Sequence, residues 1–438
     1  CCAKPPSTTS MTTAPVSSLA KKSVALLLII NLLCYLDRYL IAAVVPEIIK
    51  EFLPDSHNPR AIAGLLSTAF LVAYMITAPI FGYFADRFSR WKLIALSVAA
   101  WSLACGASGL AGSFLALLMT RVFLGIGEAG YGPAAPTILS DLFPVERRGF
   151  ILSCFYIAIP VGSALGYLIG GVVSHHWSWH WAFFIMTPPG LLLALLCFFM
   201  KDPRKIPVQK EARKASVIDD YIQLLRIPSL MINIAAQTAL TFSIGGIAFW
   251  MPTYLHEAHG FDLEKGNLYF GAITVVGGLI STLAGGLLAD RLRNRFPGSY
   301  FLVSGWGMVL GFLSILAMLC CPFPAAWIFV FLAIFFLFLN TGPSNTALAN
   351  VTPPAVRATA FAVNIFIIHA LGDAISPSII GGICDRTNWN VAMIFVAGIT
   401  LLAGILWLLS TRALVEDTRK VQELEEQLSA TPNSHPAH

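Results

Sequence analysis

Arg121 and Glu128 stand seven residues apart inside an apolar run, from Phe114 to Leu139, long enough to cross a bilayer. A charge at membrane depth costs at least about 2.5 kcal/mol, so its presence there asks for a reason. At about 100° per residue the two side chains project within roughly 20° of each other, two turns apart on one face. They are too far apart to bond directly, so each calls for a partner on another helix or in a watery cavity. A transport-site face is one reading and a structural ion network the other. A second pair, Asp37 and Arg38, lies in the first apolar run. As neighbours they point about 100° apart and cannot share one partner; Asn31 lies on the Arg38 face. Burial raises a carboxyl pKa and a nearby arginine lowers it, so moving the arginine switches the acid between holding and releasing a proton. Asp37 and Glu128 are therefore the expected protonation sites, with Arg121 as their conformation-dependent partner. Arg38 presents a guanidinium fork suited to phosphate or carboxylate. Arg121, Glu128, Asn31 and Tyr131 join it as candidate substrate contacts. In the second half His369 and Asp373 share a helix face at i, i+4, followed by Pro377, with cavity and network roles both open.

Such residues need a scaffold, and composition says which. Of 438 residues 57% are hydrophobic and only 12% charged, against roughly 25% charged in soluble domains. Mean hydropathy is +0.74. The chain reads as a polytopic, all-α membrane protein. Twelve apolar spans fall near 24–45, 61–84, 93–112, 114–138, 150–173, 179–200, 229–255, 267–289, 300–320, 324–348, 359–383 and 390–411. The organisation expected is a disordered leader over 1–20, a six-helix bundle over 21–200, a basic linker over 201–228, a second bundle over 229–412 and a tail over 413–438. Lys and Arg gather on one side: Lys21, Lys22, Arg87, Arg90, Lys92, Arg147, Arg148, the linker, Arg291, Arg293, Arg295, Arg357, Arg412, Arg419 and Lys420. The other side has only Lys50, Arg60, Lys265 and Arg386. Both termini and the linker are thus expected in the cytoplasm. The tail carries Val421, Leu424 and Leu428 at helical spacing, an amphipathic helix at the membrane surface or in water.

The halves repeat. Gly82-Tyr-Phe-Ala-Asp86-Arg87 matches Gly286-Leu-Leu-Ala-Asp290-Arg291, 204 residues on; Gly132-Pro133, Pro144 and Arg147 match Gly342-Pro343, Pro354 and Arg357, 210 residues on. Two parallel six-span halves place a site at their interface near the midplane. The loops holding Asp86, Arg87, Arg90, Asp290 and Arg291 offer gating locks against neighbouring helix ends or Arg147 and Arg148. Gly162, Gly166 and Gly170 form a small-residue packing stripe. The His175–His180 turn (HHWSWH) reads chiefly as interfacial aromatics.

GYFADRFSRWK, repeated as GLLADRLRNR, resembles the signature loop of the major facilitator superfamily. NLLCYLDRYLIAAVVPEI, GIGEAGYGPAAPTILSDLF and FYIAIPVGSALGYLIGG resemble the Spinster family within it. The first resemblance covers nearly the whole chain; the second is confined to the first half. It implies the twelve-helix major facilitator fold, a monomer, and export of sphingosine 1-phosphate or lysophospholipids, as in animal members; the short loops suit a bacterial member in the inner membrane. Small organic anions such as sugar acids are the competing substrate class, because related facilitators also carry an N-x-x-DR first span and a GEAG fourth span. A pH-independent lipid facilitator is a third reading.

No phosphate-binding loop, nucleophile triad or Cys/His metal cluster is present in the sequence, so no enzyme, ATP drive, metal or other cofactor is expected beyond a proton gradient. The basic balance belongs to topology and anionic lipid, with no nucleic-acid partner. The expected function is proton-coupled transport of an anionic amphiphile. Charge would hold the head group, and the Phe-rich tenth span (Phe329, Phe331, Phe335, Phe336 and Phe338) would line the apolar wall.

Overall fold

The computed structural model describes residues 18–143, 151, 154–155, 157–202, 222–353 and 356–430. Eleven helices among them are long and apolar enough to cross a membrane. The first three spans are Ser18–Phe52, Pro59–Arg87 and Arg90–Gly109. The fourth is divided into Phe114–Glu128 and Ala134–Leu142, which is why it falls short by length. The fifth and sixth are Ala158–His176 and Trp179–Phe198. The seventh to ninth are Pro228–His259, Leu263–Arg293 and Ser299–Cys320. The tenth is divided again, Ala326–Phe338 and Thr341–Val351. The eleventh runs as Arg357–Ile368, a π-helical turn His369–Asp373 and Ser376–Arg386. The twelfth is Trp389–Leu409, and a last helix, Thr411–Ala430, follows.

Local chemistry sets the ends. Ser113 caps the fourth span by accepting from the Ala116 amide, and Asn388 caps the twelfth by accepting from Val391. Pro59 and Pro228 sit in first turns, where no amide donor is needed. Gly260 closes the seventh span with φ of 66°, a conformation glycine adopts without strain. The fourth span breaks at Gly-Tyr-Gly-Pro, residues 130–133, where Pro133 has no amide to continue the ladder.

In lipid, helices associate by close packing rather than by escape from water. The glycine stripe shows this directly. A Cβ on Gly162 or Gly166 would lie 2.7 or 2.6 Å from the carbonyl oxygens of Leu32 and Leu36, so only glycine lets the fifth span lie on the first. The last helix is docked rather than free at a surface. Leu414 and Val421 are buried, and Asp417 accepts from the amide and hydroxyl of Ser229 at the start of the seventh span. Leu424 on the same helix is exposed. The segment 203–221, most of the expected linker, and residues 1–17 of the leader lie outside the described residues.

The halves meet chiefly toward one end. Asp385 accepts from the backbone amides of Arg60 and Ala61, at 3.0 and 2.9 Å, and from the Arg60 guanidinium at 3.1 Å. Arg60 also pairs with Glu257 at 2.7 Å. Nearer the middle, Thr68 donates to the Ala374 carbonyl and Tyr167 to that of Ala248. At the opposite end, which carries Arg90, Asp290 and the last helix, no hydrogen bond or ion pair joins the halves among the described residues. The molecule is sealed at the Arg60 end.

Candidate functional site

Between the halves lies a cavity of about 450 Å³. Its first-half wall includes Tyr35, Arg38, Tyr39, Tyr74 and Tyr167, and its second-half wall Ile244, Ile247, Phe270, Phe338, His369 and Asp373. A smaller recess joins Arg38, Tyr39 and Asp373 beneath Gly245.

Arg38 is the centre of this site. Its Nε donates to Glu128 Oε2 at 2.7 Å, with a fifth of the Arg38 side chain exposed and Glu128 fully enclosed. The guanidinium also lies over the rings of Tyr35, Phe70 and Tyr74, each about 5 Å away, a placement that stabilises a partly desolvated cation. The Cys34 thiol donates to the same Glu128 oxygen at 3.2 Å. Glu128 Oε1 is buried and has no hydrogen-bond partner among the described residues. The arginine thus bridges the cavity to an enclosed acid that the cavity does not reach.

The other charges lie deeper. Asp37 is 1% exposed and accepts a long contact from the Cys105 thiol at 3.7 Å. Arg121 donates to the Ser108 hydroxyl and lies over the Phe183 ring. It is within electrostatic reach of Asp37 and Glu128, yet no carboxylate stands within ion-pair distance of it among the described residues. Glu128 has taken Arg38 as its partner instead of Arg121. Arg121 and Glu128 share one face of the fourth span, as their spacing requires, but neither lines the cavity.

Two candidate contacts prove to be ties between helices. Asn31 donates its amide to the Phe155 carbonyl at 2.8 Å, and Tyr131 its hydroxyl to the Leu27 carbonyl at 2.7 Å. Both are nearly inaccessible, and the cavity does not reach them. A helical wheel gives a side chain's direction but not the neighbouring helix that covers it. His369 and Asp373 do face the cavity, with the imidazole Nδ1 3.0 Å from both carboxylate oxygens. The π-helical turn sets the two side chains side by side on the wall. Phe338 faces the cavity, whereas Phe335 and Phe336 line a separate lateral groove that also holds Arg291.

The expected gating set is also rearranged. Arg90 is buried and pairs with Asp141 and Asp202, each at 2.7 Å. That clamp ties the third, fourth and sixth spans of one half and does not cross to the other. Asp290 accepts from Tyr300 at 2.9 Å, again within its own half. Arg87 folds over the Tyr83 ring and is exposed. Arg147, Arg148 and the side chain of Asp86 lie outside the described residues. The ion pairs that do cross are at the other end, those of Arg60 with Glu257 and Asp385 among them. Sequence reasoning passed over them because only a fold brings residues 60 and 385 together. The thiols of Cys34 and Cys105, which donate to Glu128 and Asp37, are likewise absent from the residues that the sequence singles out. Cys34 and Arg38, at i, i+4, carried a signal that they share a face.

The chain matches the Major Facilitator Superfamily model over residues 27–377. It is 34% identical over 447 residues to Protein spinster homolog 1 of Xenopus laevis, covering 93% of this chain and 84% of that protein. Its fold is similar to the crystal structure of a bacterial homolog to human lysosomal transporter, Spinster, in inward-facing and unoccupied conformation. There the TM-score is 0.80 at 21% identity, with 92% and 99% of the two chains covered. It is also similar to a D-xylose-proton symporter, with a TM-score of 0.71 at 17% identity over 92% and 99%.

Proposed function

We propose a specific transport reaction for this chain, which belongs to the major facilitator superfamily and is a Spinster-type, multi-pass membrane transporter. It moves an amphipathic anionic lipid, of the lysophospholipid or sphingosine-phosphate kind, by alternating access coupled to protons. The single observation that carries this reading is the Arg38–Glu128 pair at the cavity edge. An anionic head group entering the cavity competes for the guanidinium. Glu128, losing its counter-charge in an enclosed setting, then favours its protonated form, and its unpartnered Oε1 can carry the proton. Substrate and proton thereby load together. Asp37, with Arg121 near but unbonded, is the second protonation site.

The substrate class rests on the cavity's two walls. The cation is on one, while Ile244, Ile247, Phe270 and Phe338 offer the other to an acyl chain. His369 and Asp373 contact the head group from the far side. The seal at the Arg60 end supports an alternating-access cycle, of which this is the state closed at that end. The Lys and Arg distribution supports placing the end opposite Arg60, with both termini, in the cytoplasm. The reading is completed by a monomer in a bacterial inner membrane.

The second reading is a proton symporter of small organic anions such as sugar acids, favoured by the fold likeness to the D-xylose-proton symporter. Liposomes separate the two. Under an imposed pH gradient, a fluorescent lysophospholipid is expected to be transferred in wild type and lost in Arg38→Gln. Transport of gluconate alone would replace the lipid reading with the second one. Lipid transfer indifferent to the gradient would leave a facilitator without coupling.

A further inference from the structure

At the sealed end, away from the cavity, three metal-ligating side chains from both halves converge. His175 is in the last turn of the fifth span, Asp262 immediately precedes the eighth and Glu264 is in its first turn. The donor atoms of these three all lie within 4.8 Å of one another. His175 Nδ1 is 3.3 Å from Asp262 Oδ1. His176 Nε2 is 3.8 Å from Glu264 Oε2 and offers a fourth donor. We propose that His175, Asp262 and Glu264 bind a divalent transition-metal ion of the Zn²⁺ type, which clamps the two halves together.

Three features argue for it. The donor set is imidazole and carboxylate, which suits zinc better than the six to eight oxygens a calcium site takes. The spacing is close to that needed: donors about 2.0–2.1 Å from a tetrahedral zinc stand about 3.3–3.4 Å apart. Small rotations of side chains that are 46%, 40% and 33% exposed close the remainder and leave an entry path from water. The backbones beneath are held. Gly171 lies against Asn267, where a Cβ would come within 2.9 Å of its amide nitrogen, and Asn267 donates across the halves to the Ala43 carbonyl at 3.3 Å. The two helices that carry the ligands therefore meet in a fixed register one turn below them. Opening this end separates His175 from Asp262 and Glu264, so a bound ion favours the sealed state and slows the cycle.

The test uses the untagged full-length chain in nanodiscs, titrated with Zn²⁺ by calorimetry. Wild type, His175→Ala and Asp262→Asn are compared. One ion per chain is expected in wild type. Affinity should fall by at least about tenfold in each variant, since losing a ligand costs no less than disturbing its outer partners. Both residues are exposed, so the metal-free melting midpoints should match wild type. In parallel, Zn²⁺ should slow hydrogen exchange several-fold over residues 59–66, in the seam, in wild type only. Affinity retained in Asp262→Asn, or binding without slowed exchange, would mean an adventitious ion only and would overturn the clamp.

Discussion

The fourth and tenth spans are the same device used for opposite chemistry. Each breaks at the corresponding place: the first segment ends at Glu128 in one and at Phe338, 210 residues on, in the other. Gly132-Pro133 and Gly342-Pro343 follow at the same offset. At the break the first half presents a buried acid tied to Arg38, and the second presents a phenylalanine on the cavity wall. One turn pair earlier, Arg121 corresponds to Phe331 by that offset. The repeat thus fixes where a helix bends and leaves open what the bend displays. The linker-end clamps tell a similar story. The first half ties its third, fourth and sixth spans through Arg90 and two carboxylates, whereas in the second Asp290 accepts from Tyr300 and Asp417 from Ser229.

The comparison breaks most sharply at the paired positions. Glu128→Leu strips the counter-charge from a mostly desolvated guanidinium and should cost roughly 3 kcal/mol of stability. Phe338→Leu trims a partly exposed wall and should cost only about 1 kcal/mol. Thermal unfolding of both variants in nanodiscs checks this; equal losses would contradict the asymmetry. The double variant Arg38→Met/Glu128→Leu should recover part of the loss, because no lone charge is left buried.

The two ends of the molecule give the next contrast. Asp385→Ala removes an acceptor of two amides and a guanidinium across the seam. A loss of about 1.4 kcal/mol or more there shifts the balance toward opening about tenfold, read as faster hydrogen exchange over residues 59–66. Asp141→Ala breaks a pair confined to one half, so exchange in the seam should stay as in wild type. Smaller still, Asn31→Ala should cost about 1 kcal/mol with no change in substrate KM, since its amide serves Phe155 and not the cavity.

The smallest effect concerns the last helix. Burial pushes the Asp417 carboxyl up, but hydrogen bonds from Ser229 and Lys420 outweigh it and hold the pKa below the ordinary value. A depressed carboxylate contributes stability that is present above the unfolded pKa and lost as pH falls through the folded one. The melting advantage of wild type over Asp417→Asn should therefore hold at neutral pH and shrink below about pH 4.

Much of this was legible in the sequence, for reasons that name its limits. Span positions and the two-half repeat follow from hydropathy and from motifs repeated along one chain. Buried charge is costly enough that Asp37, Arg121 and Glu128 announced themselves. The partners did not: Arg38 could be placed on a face, but not assigned to Glu128 on another helix. Asn31 and Tyr131 looked equally eligible for the cavity until their covering helices were known. The metal-ligating cluster left no spacing to find, since His175 and Asp262 lie on different halves and meet only through packing. In the sequence its histidines therefore read as part of an interfacial aromatic turn.

The central claim is that protons are carried by the acids of the first half and that the second half supplies the wall. Proton entry into liposomes loaded with a pH-sensitive dye tests this most directly. Lysophospholipid is added to wild type, Asp37→Asn, Glu128→Gln and Asp373→Asn. The account predicts lipid-driven acidification in wild type, its loss in Asp37→Asn and Glu128→Gln, and its survival in Asp373→Asn at a higher lipid concentration. Acidification that persists in Glu128→Gln, or that vanishes only in Asp373→Asn, would contradict it.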